Sequence, residues 1–106
     1  MRIYQLRRYT LSTADALERY RNIHYPRHLM NFPKFGIGLH GLWTDNSDAP
    51  RLYALLSFPA GADPADITEQ YLASPELRSD MEGFDMTTII EVTATHLTPA
   101  PGSPLL

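Results

Sequence analysis

The chain has no cysteine, which removes a disulfide framework, a thiol nucleophile, a Cys-ligated zinc and an iron–sulfur cluster from consideration. Lysine is nearly absent too: Lys34 stands beside eight arginines. Those nine cations face twelve Asp and Glu, so the net charge is −3 and no diffuse cationic field exists to draw in a phosphate backbone. Nucleic acid is not expected as a partner. No apolar run approaches the ~18 residues of a membrane span, and the start of the chain enters a strand-like segment without a signal-type apolar stretch. No membrane partner and a cytoplasmic location are therefore expected. A P-loop, a dinucleotide fingerprint and a GxSxG elbow are also missing, which argues against nucleotide-dependent and serine-hydrolase chemistry.

What is present suits one domain. At 106 residues, with 43% apolar and 20% charged side chains, the chain can build a single modest core. Residues 1–98 carry the patterned segments, and residues 99–106, with prolines at 99, 101 and 104, form a proline-rich tail that suits neither helix nor interior strand.

Arg2 to Tyr9 reads as a strand with Tyr4, Leu6 and Arg8 on one face and Ile3, Gln5, Arg7 and Tyr9 on the other. Ser12-Thr13-Ala14-Asp15 resembles a capping box and predicts a helix with Leu17, Tyr20, His24 and His28 or Arg27 along one stripe. Pro26 must either kink that helix near Tyr25 or restart it from a new first turn. Phe35 to Thr44 alternates strongly and predicts a strand with Phe35, Ile37, Leu39 and Trp43 on one face; three glycines within it mark a bulge, a bend or a close approach. Turn residues 45–50 lead back into a strand at Arg51 to Phe58. Helical pieces follow at Ala65–Ala73 and from Pro75 to about Met81, and Met86–Leu97 predicts the last strand. The order β-α-β-β-α-β is that of a ferredoxin-like α+β fold, with two helical layers on one face of a four-stranded antiparallel sheet. The uncovered face carries apolar residues, so a homodimer is expected.

Several segments together resemble the NIPSNAP family: Ile3-Tyr4-Gln5-Leu6-Arg7-Arg8-Tyr9, His24-Tyr25-Pro26, Gly41-Leu42-Trp43 and Ser103-Pro104-Leu105. Gln5 stands where the family's opening has Glu. The resemblance covers nearly the whole chain and implies a dimeric α+β barrel with a pocket between helices and sheet; because the family's biochemistry is diverse, it implies no single activity.

Among residues able to carry chemistry, His24 and His28 lie four apart on one helix. That spacing can hold a metal, but no HExxH carboxylate accompanies it, and proton transfer, ligand binding or plain packing are the competing roles. No metal site and no cofactor are expected. His40, on the glycine-lined strand beside Trp43, is a candidate acid or base, or else a surface residue; His96 reads as an edge residue. Tyr4, Tyr20, Trp43 and Tyr53 are candidates to line a pocket for a planar or hydrophobic molecule, or to fill the core. Arg8 and Arg51 are candidates to hold a carboxylate or steady an enolate, or else form edge ion pairs. Glu91 faces either a pocket or the dimer interface. The resulting expectation is a cofactor-independent enzyme of the isomerase, cyclase, lyase or monooxygenase type. It would act on a small hydrophobic or aromatic metabolite, with His24 or His40 moving the proton and Arg51 steadying charge. The alternative is a non-catalytic dimer that binds a small ligand or a protein partner.

Overall fold

In the computed structural model, which describes residues 2–105, strand β1 (Ile3–Leu11) is central, and the sheet runs β2-β3-β1-β4 with every neighbour antiparallel. The other strands are β2 (Gly38–Asp45), β3 (Arg51–Phe58) and β4 (Ile89–Leu97). Four helices, α1 (Ala14–Arg19), α2 (Tyr25–Asn31), α3 (Pro64–Leu72) and α4 (Pro75–Asp80), fill the two crossovers, giving the α+β ferredoxin-like order expected. Met1 and Leu106, the ends of the two expected segments, lie outside the described residues.

Three of the four helices, α1, α3 and α4, start at a capping side chain. Thr13, one residue later than the capping-box pattern suggests, caps α1: its side-chain oxygen accepts from the Ala16 N–H at 3.0 Å. Asp63 and Ser74 cap α3 and α4, and each is followed by a proline in the first turn, where a missing N–H costs nothing. Pro26 is absorbed the same way. The five residues Tyr20–His24 form a π-helical turn, the Tyr25 N–H reaches back to the Tyr20 carbonyl, and Pro26 falls in the first turn of α2. The helix therefore restarts at Tyr25, with right-handed helical backbone at both His24 and Tyr25.

Leu17, Tyr20, His24, Tyr25, His28 and Phe32 are all buried and press onto the sheet face formed by Tyr9, Leu11, Leu52, Ala54, Leu56 and Phe58. At ~1.5–3 kcal/mol for each large apolar side chain removed from water, this interface holds the two layers together. The opposite sheet face has no helical layer.

Two strand boundaries differ from the sequence reading. Phe32–Phe35 is a 3-10 turn closed by Gly36 at φ 77°, so β2 begins at Gly38 rather than Phe35. Met86–Thr88 is likewise a short 3-10 turn, capped by Asp85, and β4 starts at Ile89. More consequential is a bulge in β2: Leu39 pairs with Leu56 but Gly41 pairs with Leu55. The extra residue, His40, breaks strict alternation, so Leu39 packs against the helical core while Trp43, opposite Tyr53, lies on the helix-free face. Trp43 then lies over Gly41, where an added Cβ would overlap the indole ring.

Candidate functional site

A cavity of about 720 Å³ lies between the helices and the β1–β4 side of the sheet. Its origin is a row of small residues. On the helix-facing side of the sheet, Arg7 sits opposite Ala54 on one neighbour and Ala94 on the other. Flanking rows place Gln5 beside His96 and Tyr9 beside Val92. The roof comes from Tyr20, His28 and Phe32 on one side and from Thr68, Tyr71 and Leu77 on the other. No helix covers the outer edge of β4, so Val92 is half exposed and the cavity opens there.

One wall carries a buried polar cluster within this largely apolar space. The Asp80 carboxylate, 3% exposed, accepts from His28 Nδ1–H at 2.9 Å through Oδ2, from Asn31 Nδ2 at 2.7 Å through Oδ1, and from the Tyr71 hydroxyl. The Tyr71 hydroxyl also abuts His28 Nδ1. Burial pushes the His28 pKa below the ordinary imidazole value more than the Asp80 hydrogen bond raises it, so the ring is neutral at pH 7. With its Nδ1–H directed at Asp80, the neutral ring keeps its lone pair on Nε2. Burial, reinforced by the bond to Asp80, pushes the Tyr71 hydroxyl well above the usual phenol range, leaving it a donor. Tyr20 and Tyr25 are held protonated by burial and then by their contacts with Tyr9. The arrangement is a neutral imidazole and a protonated phenol, both fixed by one carboxylate, beside an apolar cavity.

The structure separates the residues picked out by sequence. His28 and Tyr20 line the cavity. His24 does not: it is fully buried, its Nδ1 lies 2.9 Å from the Asp80 backbone oxygen, its ring packs on Phe84, and Nε2 has no partner among the described residues. Tyr4, His40, Trp43, Arg51, Tyr53 and Glu91 all belong to the opposite, helix-free face, because strand parity and the β2 bulge place them there. They cannot share a helix–sheet pocket with His28. On that face His40 Nε2 and the Ser57 hydroxyl share a hydrogen bond of 2.7 Å, and the His40 ring lies 5.3 Å from that of Tyr4. Arg8 pairs with Glu91 at 3.0 Å, and Arg51 bonds Thr10 and Asp48. These arginines are thus occupied with neighbours of the sheet. His96, read as an edge residue, lies at the cavity mouth.

Arg7 and Tyr71, which line the cavity, and Asp80, which holds Tyr71 and His28 from behind, were passed over by sequence reasoning. Parity did place Arg7 on the face shared with Gln5 and Tyr9, and this was the available signal. The meeting of Tyr71 and Asp80 with His28, across 43 and 52 residues of chain, has no local signature. Among the described residues no three His, Asp or Glu side chains are grouped to hold a metal ion, and no helix is long and apolar enough to cross a membrane.

No family model and no curated protein matches the chain. Solved structures do. A NIPSNAP family protein from Agrobacterium tumefaciens superposes with a TM-score of 0.78 at 19% identity, covering 99% of this chain and 94% of that one. A NIPSNAP domain protein from Burkholderia xenovorans gives 0.74 at 18% identity, over 96% and 98% of the two chains. A NIPSNAP-like domain protein from the same organism gives 0.72 at 24% identity, over 97% and 89%. Similarity over nearly the full length of both partners, at identities that speak for architecture alone, gives this chain the fold of the NIPSNAP family proteins.

Proposed function

We propose that the chain binds a small, largely apolar molecule in the helix–sheet cavity and transfers a proton on it with its own side chains. The observation that carries this reading is that His28 and Tyr71, both held by the buried Asp80 behind them, line the cavity. A neutral, oriented imidazole is a competent base near pH 7, and Asp80 would hold the imidazolium once formed. Tyr71, kept protonated, gives its one hydroxyl hydrogen to Asp80 and so fixes the carboxylate that orients His28. Isomerase, cyclase and lyase reactions of a carbon acid draw on such a base. His28, rather than His24 or His40, is the base.

Nitrobenzisoxazole, a neutral aromatic probe that opens to a coloured phenolate when a base removes its carbon-bound proton, tests the reading. The protein should accelerate opening over buffer, and His28→Gln should lower the rate by about 10²-fold, the usual worth of a positioned base. A rate equal to that of buffer, or one unchanged in His28→Gln, would refute proton transfer and leave the cavity as a binding site only.

The helix-free face supports a second copy of the chain as its partner. Trp43 and Leu97 are exposed there, with Leu6, Tyr53 and Leu55 half-buried between them. Such a contiguous apolar patch favours self-association.

A further inference from the structure

Within the cavity, Arg7 is out of place as a structural residue. It stands on the central strand, on the core side of the sheet, in a space walled mainly by Tyr9, Tyr20, Phe32, Leu77, Ile89 and Val92. A guanidinium taken into such surroundings normally brings a carboxylate with it, because an unpaired charge loses hydration without compensation. Arg7 has none within ion-pair distance among the described residues. Its partners are neutral: Nε and Nη2 donate to Gln5 Oε1 at 3.2 and 2.6 Å, and Nη2 donates to Thr68 Oγ1 at 3.1 Å. Asp63 and Glu69 also line the cavity, but Asp63 turns its Oδ1 to the Ala65 N–H to cap α3, and Glu69 is exposed at the rim. Gln5 and Thr68 thus hold the guanidinium in position without neutralising it. Ala54 and Ala94, the residues directly beside Arg7 on the two neighbouring strands, leave the space around it open.

We infer that Arg7 is the anchor for a carboxylate on the bound molecule, so that the ligand is an apolar or aromatic monocarboxylate. Its anionic head meets Arg7 on the sheet floor and its body lies under the aromatic roof toward His28 and Tyr71. This assignment rests on the cavity reading above and adds the charge of the ligand to it. Arginine suits the role because its planar fork donates two parallel bonds to a carboxylate.

Naphthoate and naphthamide, which share one shape and differ in charge, separate the possibilities. Binding is followed by calorimetry and by the methyl resonances of Val92 and Ala94, which report occupancy of this cavity. The native protein should bind naphthoate about 10- to 100-fold more tightly than naphthamide, the worth of a charge-assisted hydrogen bond. Arg7→Met should erase that preference while leaving naphthamide affinity within about threefold, the scale of packing changes worth under a kcal/mol. Gln5→Glu, which keeps the shape of residue 5 but gives Arg7 an internal carboxylate, should do the same, so a folding defect in one variant does not decide the matter. Equal binding of both probes by the native protein, or a preference for naphthoate that survives both substitutions, overturns the assignment while the cavity reading stands. If neither probe moves the Val92 and Ala94 resonances, the cavity reading and the assignment fail together.

Discussion

Replacing Asp80 by alanine should cost more stability than its single carboxylate suggests, and the structure sets the size of the loss. Three donors converge on that carboxylate: His28 Nδ1–H, the Tyr71 hydroxyl and the Asn31 amide. Asn31 is only part-buried and recovers its bond from water, but His28 and Tyr71 are 3% and 4% exposed. Each buried donor left without a partner costs about 1–3 kcal/mol, so the pair amounts to about 2–6 kcal/mol. Relief of the buried carboxylate's own desolvation offsets part of this. Because His28 is neutral in the native state, no bare charge is left behind, which keeps the loss below that of a broken buried ion pair. The expected net loss is about 2–4 kcal/mol by urea unfolding, or about 8–30 °C in Tm for a domain of this size. Tyr71→Phe removes one of the stranded donors, so Asp80→Ala with Tyr71→Phe should be less destabilised than the sum of the single variants by at least about 0.5 kcal/mol. An Asp80→Ala loss under about 1 kcal/mol, or strict additivity in the double variant, would show that the cluster is not the coupled unit described.

Three further outcomes follow from the same geometry. Since folding lowers the His28 pKa, the unfolded chain takes up a proton first as pH falls. The stability held by neutral His28 is therefore full above about pH 6.5 and drains below it, by at most about 1.4 kcal/mol per pH unit; His28→Phe should flatten that part of the stability–pH profile, and an unchanged slope would exclude His28 as its source. Ala94→Phe, which fills the cavity from β4, should abolish naphthoate binding while moving Tm by only a few degrees, as read by calorimetry and thermal melting; undiminished binding would place the ligand elsewhere. Trp43→Glu should shift the sedimenting species from dimer to monomer, and a monomeric native protein would remove the proposed role of the helix-free face.

The fold was largely legible in the sequence because its signals are local. Caps at Asp63 and Ser74 each stand before a proline, the β1 faces obey parity, and turn residues 45–50 join two strands. The site was legible only in part. The stripe through Tyr20, His24 and His28 does face the sheet, yet periodicity could not tell which histidine is sealed against Phe84 and which borders open space. That distinction depends on Ala94 and on the uncovered edge of β4, both remote in sequence. Trp43 went to the wrong face because one unpaired residue, His40, inverts everything after it, and the glycines around it signal irregularity without giving its phase. Sequence singled out Arg8 and Arg51 rather than Arg7; in the structure Arg8 is paired with Glu91 across the sheet and Arg51 with Asp48, three residues before it.

The placement of Trp43 over Gly41 gives the molecule an intrinsic fluorophore of known address. It is the sole tryptophan in the chain, about half of its surface meets solvent, and it lies on the opposite side of the sheet from the cavity. Its emission wavelength and accessibility to quenchers therefore register what covers the helix-free face. An occupant of the cavity, separated from the indole by the full thickness of the sheet, is read through the tyrosines instead. The two events, assembly and ligand entry, can thus be followed in one native sample through separate optical channels, without a label.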